Sequence, residues 1–392
     1  MTGWRAIWRS RRARLWFGAA IVAAWLPVVG IGLRNWLDFS AFYTAGALAF
    51  TPELTRLSAA VTYQAAHGLP ITPWVYPAGL ALLYVPFALL PYGLAAPLHL
   101  ALEAGLLAVA AWLGASLVGL PRRWALIGVF AWAPAAAGVL SGQETALALL
   151  LVVLAARTIA SGWAGVAIGL LAFKPQLFVP QGGMLLLRGL WRGALVALVI
   201  VAGHYLLGVV ATGGDWRWPE SWLATIGAYT RPDFLANGWQ AVSMPAFGTW
   251  LEVTTGVPGL AIVGYLVGAI VVVAALPALR RWPVVPALAL AASVGLVVSP
   301  HAWVYDATLL LPALGVFAAA ARERGWPWQD RWLLAVAYGL ALAWPLGRFV
   351  GFVPVLAVVA LAPGVLLGWG PSRRFGVEGP PHAGPSLPGT HD

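Results

Sequence analysis

The chain of 392 residues contains no cysteine and a single lysine, and Asp, Glu, Lys and Arg together make up only 9% of it. Without cysteine there is no disulfide framework, no thiolate metal site and no cysteine nucleophile. A soluble domain carries about 25% charged residues, so a water-soluble fold of this length would run out of polar surface. The motifs of soluble nucleotide and metal chemistry are missing as well. There is no G-x-x-x-x-G-K-[ST], no G-x-G-x-x-G after a strand, no H-E-x-x-H and no D-x-D pair. An enzyme that takes a nucleotide-sugar with a divalent ion usually needs such an acidic pair. Its lack favours a donor that requires no metal and no cofactor.

What the chain has is apolar length. Hydrophobic residues make up 61% and the mean hydropathy is +0.84. The isoelectric point near 10.5 does not indicate nucleic-acid binding, because the arginines sit in short clusters between long uncharged stretches. This is the pattern of an integral, multi-span membrane protein.

A helix needs about 20 apolar residues to cross the hydrocarbon. Residues 15–33 give a first span, longer than a signal-peptide core and with no convincing cleavage site, so it reads as uncleaved. Arg5, Arg9, Arg11, Arg12 and Arg14 precede it and only Arg34 follows, which places the N-terminus in the cytoplasm. Further candidates are 78–91, 94–118, 124–141, 144–158, 163–174, 176–188, 193–212, 257–277, 284–299, 304–321, 332–347 and 350–369. The remaining clusters (Arg122/Arg123, Arg188/Arg192, Arg280/Arg281, Arg322/Arg324 and Arg373/Arg374) all fall inside if 78–118 makes one net crossing. The piece 78–91, broken by Pro86 and Pro91, is then re-entrant or kinked.

The expected fold class is thus an all-α polytopic bundle of about twelve spans, one membrane domain over 1–370, with both termini inside. Segments 34–77 and 213–256 are too polar or too broken to cross and lie outside the cytoplasmic membrane, the first along the interface. The Pro- and Gly-rich tail 371–392 reads as a disordered cytoplasmic extension.

Ionisable groups at membrane depth are costly and need a reason. They are Asp38, Glu103, Glu144, Lys174, His204, His301 and Asp306. Lys174 is singular because every other basic residue besides histidine is arginine; it is either an intramembrane functional cation or a snorkelling survivor. Asp38, at the outer end of the first span, reads by itself as a helix cap or as a carboxylate facing a cavity. Glu144 in S-G-Q-E-T reads as a cap of the next helix. Glu103 has His99 one turn earlier as a partner. His301 and Asp306, five residues apart in S-P-H-A-W-V-Y-D, can reach one cavity, and Gln176 beside Lys174 suits a sugar hydroxyl.

Several of these pieces, in order, resemble the polytopic glycosyltransferases of family 87. They are D-F-S-A-F-Y-T-A-G (38–46), V-Y-P-A-G-L-A-L-L-Y-V-P-F-A-L-L-P-Y (75–92), F-K-P-Q (173–176) and S-P-H-A-W-V-Y-D-A-T-L-L-L-P-A (299–313). L-S-G-Q-E-T (140–145) and V-S-M-P-A-F-G (242–248) are similar more loosely, and beyond 320 the likeness is one of hydrophobic character only. The family includes polyprenol-phosphate-mannose-dependent α-(1→2)-mannosyltransferases.

The resemblance implies a GT-C fold with a large first extracytoplasmic loop, a polyprenyl-phosphate sugar donor, a lipid or glycan acceptor, and inversion at the anomeric carbon. It also implies a plasma-membrane location with the active site on the outer face. Asp38 matches the catalytic aspartate. Lys174 and His301 become candidates to contact the donor phosphate, and Tyr43, Tyr76, Glu144, Gln176 and Asp306 candidates to line the substrate site. At Glu144 the family pattern more often carries an amide. The outer segment with Trp216, Trp218, Trp222, Asn237, Trp239 and Gln240 is the place expected for acceptor recognition. The rival reading is a transporter or flippase of lipid-linked saccharides, with no chemistry, although the chain has no visible inverted repeat.

Overall fold

Thirty prolines and 45 glycines cut the apolar chain into helices, since proline removes a backbone donor and glycine weakens a helix interior. The computed structural model describes residues 38–344 together with Gly18, Ala19, Val22, Trp25 and Leu26. Among the described residues there is no strand. The helices are α1 (Phe39–Leu48), α2 (Leu57–Ala66), α3 (Val85–Ala88), α4 (Tyr92–Leu117), α5 (Arg122–Phe130), α6 (Ala133–Ser141), α7 (Thr145–Thr158) and α8 (Trp163–Leu170). They continue as α9 (Pro175–Leu187), α10 (Trp191–Ala211), α11 (Trp218–Asn237), α12 (Met244–Thr255), α13 (Leu260–Arg281), α14 (Val284–Val298), α15 (Leu311–Glu323) and α16 (Trp328–Leu342). Tight 3-10 turns at Ala78–Tyr84 and Val304–Leu310 lead into α3 and α15.

Among the described residues, α4, α10, α13 and the stretch Val304–Glu323 are long and apolar enough to cross a membrane. The pair α5–α6 adds a fifth crossing if its two helices, bent by 67° at Ala131 and Trp132, form one broken span. Shorter apolar helices cover 145–158, 163–173 and 284–298. The expected twelve spans are therefore not all of spanning length: several expected crossings are short or broken pieces. The expected spans 15–33 and 350–369 and the tail 371–392 lie outside the described residues, except for the five early positions named above. The kink expected in 78–91 is present as a 3-10 turn followed by the four-residue α3.

The outer faces carry the bilayer signature. Leu94, Leu198 and Ile270, on α4, α10 and α13, are 60%, 58% and 67% exposed, large apolar side chains that suit a lipid-facing surface. The interior is filled by small residues, largely alanine, which let helices approach closely.

The described part of segment 34–77 includes a helix that packs inside the bundle. Residues 39–46 of α1 are all buried. A Cβ at Gly46 would collide with the carbonyl of Tyr84, so this glycine lets α1 sit against the 78–84 turn. That packing brings the N-terminus of α1 into the bundle.

Candidate functional site

The site forms where the N-termini of α1, α7 and α9 meet the turns around 143 and 304 and the end of α11. Asp38 stands at the N-cap position of α1 but caps nothing: its side chain makes no hydrogen bond to that helix's first turn. It is half-buried, and the Gln143 side chain hydrogen-bonds to it. Burial pushes its pKa up from an ordinary 3.8 to about 6. The negative charge of Asp233 adds to the rise, while the Gln143 hydrogen bond and the positive charges of Lys174 and His301 oppose it. Lys174, His301 and Asp233 thus all lie within electrostatic reach of Asp38.

Gln143 is placed by a backbone device. Gly142 ends α6 with φ +78°, a left-handed conformation that glycine adopts without strain. A Cβ here would lie 2.7 Å from the Cβ of Phe39, so the turn packs directly on the residue after Asp38. The Tyr76 hydroxyl donates to Gln143 Oε1 at 2.5 Å, which leaves the amide nitrogen to face the carboxylate. The next residue, Glu144, occupies the N-cap position of α7 but does not cap it. Its Oε1 accepts from the Tyr84 hydroxyl at 2.5 Å. Glu103 does the capping instead, accepting from the Ala146 N–H at 3.2 Å. His99, the partner expected for Glu103, contacts the Tyr84 hydroxyl at 3.3 Å and stacks on Phe39 at 4.8 Å.

Lys174 begins α9 and is buried. Its ammonium donates to Asp306 Oδ1 at 2.7 Å, the two side chains being only 4% and 7% exposed. The other oxygen of Asp306 accepts from the Trp303 backbone N–H at 3.0 Å, so the carboxylate is anchored on both sides. The rings of Tyr76 and Tyr305 stand 5.9 and 5.7 Å from the ammonium, within the range of cation–π attraction.

His301 stands at the edge of the site with its side chain 39% exposed. Its Nε2 lies 2.6 Å from Oδ2 of Asp233, which is itself 3% exposed. Asp233 Oδ1 accepts from Asn237 Nδ2 at 2.8 Å and from the Tyr229 hydroxyl at 3.3 Å. Sequence reasoning passed over Asp233, since it looked like one polar residue in an outer segment. The signal was the spacing Tyr229, Asp233, Asn237, which sets all three on one face of α11. Gln143 and Tyr305 were also missed.

Tyr43 is buried, with its hydroxyl donating to the Leu90 carbonyl at 2.9 Å and its ring edge-on to Tyr92. Gln176 lies in the first turn of α9, whose backbone there touches Gly295 of α14 so closely that a Cβ would sit 2.6 Å from the Gln176 carbonyl. The aromatics of the 213–256 segment mostly stitch it to the bundle. Trp222 donates to the Val75 carbonyl at 3.1 Å, Trp218 to the Tyr205 carbonyl at 3.2 Å, and Trp239 stacks on Trp344. Trp216 is 62% exposed. Among the described residues no group of three or more His, Asp or Glu is placed to hold a metal ion.

Compared with known proteins, the chain matches the family model described as glycosyltransferase family 87 over residues 74–300, more than half of its length. No curated protein and no solved structure matches it.

Proposed function

Because the chain belongs to glycosyltransferase family 87, we propose that it moves a sugar, mannose in our reading, from a polyprenyl-phosphate donor to a lipid or glycan acceptor at the outer face of the membrane. Asp38 is the general base. Its carboxylate takes the proton of the acceptor hydroxyl as that oxygen attacks the anomeric carbon. The bond from that carbon to the phosphate oxygen breaks, its electron pair leaves with the polyprenyl phosphate, and configuration inverts. One base suffices because the leaving phosphate is already acidic and needs positive charge rather than a general acid.

The observation that carries this reading is the company Asp38 keeps. A single carboxylate, oriented by Gln143, feels both Lys174 and His301. Lys174 and His301 divide the work. Lys174 is buried and paired with Asp306, so it sets the positive potential of the site from behind. His301 is exposed to the site, and Asp233 accepts from its Nε2–H. That leaves Nδ1 as the ring atom free to meet the departing phosphate. Tyr76, Glu144 and Asp306 are tied to Gln143 and Lys174, Gln176 follows Lys174 by two residues, and Tyr43 supports the α1 wall. The polyprenyl tail stays among lipids against the exposed apolar helices.

The test is transfer from radiolabelled polyprenyl-phosphate mannose in membranes carrying the protein, with the labelled product identified. Asp38→Asn should lower turnover by about 10²–10⁴-fold and keep donor binding. Undiminished transfer in that variant would remove the mechanism.

A further inference from the structure

A cavity lies at the end of the same helices away from the ionic site. The ionic site gathers around Glu144 before α7, the residues after α14 and Asp306 ahead of α15. The cavity touches α7 only at Leu149 and beyond, α14 near its start at Val285, and α15 from Leu311 to Arg322. At 1.5 Å rise per residue its inner wall begins about one helical turn below the ionic site. Trp132, fully buried and donating to the Ala307 carbonyl at 2.9 Å, stands near that level.

The cavity measures about 1310 Å³, more than the roughly 300–1,000 Å³ of a typical small-molecule pocket. Its walls are apolar, with Val152, Leu288, Leu314 and Leu334 among them. Its charged lining residues are Arg123, Arg322 and Arg331, with no carboxylate. All three arginines are exposed. None forms an ion pair among the described residues; Arg322 reaches only the Gly119 carbonyl. Trp124 and Trp326 line the cavity with them, the side-chain type that settles at headgroup level.

We propose that this cavity holds an anionic phospholipid from the leaflet facing the arginine-rich end, acyl chain inside and phosphate against Arg123, Arg322 and Arg331. The shape and the charge agree. An apolar chamber inside a membrane bundle suits an acyl chain, and uncompensated cations at its mouth select a negative headgroup over a zwitterionic one. This inference does not depend on the transfer reaction.

The full chain is reconstituted in nanodiscs of equal phosphatidylglycerol and phosphatidylcholine, with a photoreactive benzoylphenylalanine replacing Leu314. Illumination should yield an adduct with the mass of phosphatidylglycerol, in excess over phosphatidylcholine by at least about fivefold, the discrimination one arginine near the headgroups supplies. The triple variant Arg123→Gln/Arg322→Gln/Arg331→Gln should bring the two adducts to parity. An adduct to residues 345–392 or to a second copy of the chain would overturn the proposal. So would equal labelling by both lipids in the unaltered arginine background. Native mass spectrometry of the protein without substitutions gives an independent reading if the photoreactive variant does not fold: retention of one phosphatidylglycerol supports the proposal, and retention of none, or of either lipid alike, rejects it.

Discussion

His301 and Asp233, 68 residues apart in sequence, meet through a 2.6 Å hydrogen bond that links the turn before α15 to the end of α11. The bond joins the 213–256 segment to the site of Asp38, although nothing in the segment's composition announces it. It gives the exposed imidazole a fixed orientation, because the buried carboxylate is itself held by Asn237 and Tyr229.

That pairing predicts non-additive kinetics. His301→Ala should lower kcat by about 10²–10³-fold, the scale of removing one preorganised donor to a developing anion. Asp233→Asn should lower it in the same direction but less. The double variant should be no worse than His301→Ala alone, since Asp233 acts through the imidazole. Fully additive losses in a double-mutant cycle would show Asp233 acting on its own.

For Asp38 the pH dependence follows from burial. The base must be ionised, so kcat/KM should rise as pH passes through about 6, and Asp38→Asn should lose about 10²–10⁴-fold. The stability effect has the opposite sign. A carboxyl whose pKa is raised on folding favours the fold fully below its unfolded value near 3.8, and that contribution is lost as pH climbs through about 6. Asp38→Asn should therefore match or exceed the parent's thermal midpoint at neutral pH. A lower midpoint there would reveal a structural role.

Lys174 and Asp306 form a buried pair, and removing either partner strands the other. Lys174→Met or Asp306→Leu alone should cost about 3–5 kcal/mol, whereas the double replacement should recover most of it. Activity should not return with stability, because the positive potential at the site is gone. Recovery of transfer in the double variant would assign the pair to packing alone.

Gly142→Ala tests the turn that delivers Gln143. The new Cβ meets both an unfavourable φ and Phe39 at 2.7 Å, so a loss of about 1–3 kcal/mol is expected from overpacking. Transfer should fall with it as Gln143 leaves Asp38. Unchanged denaturant midpoints and rates would mean the turn is free to shift.

Several features of the site could be read from the chain before any fold was known. Asp38, Lys174, His301 and Asp306 stood out because charges among apolar residues are costly and few. The pairings could not be read. His301 and Asp306 looked like neighbours by spacing, yet each found a distant partner, Asp233 and Lys174. Glu144 and Asp38 sat where caps belong, yet neither caps; Glu103, from another helix, does that work for α7. Short-range spacing carries helix-face information only, and these contacts run between helices.

The apolar composition and the dearth of charge dictated by themselves a helical membrane protein, since only internally hydrogen-bonded backbone survives in hydrocarbon. The prolines and glycines likewise fixed where helices could break. Which broken piece spans, which is buried and which carboxylate faces which cation was settled only when the helices packed. Those outcomes depend on close approaches such as Gly46 on Tyr84 and Gly142 on Phe39, and such fits arise from surfaces far apart along the chain.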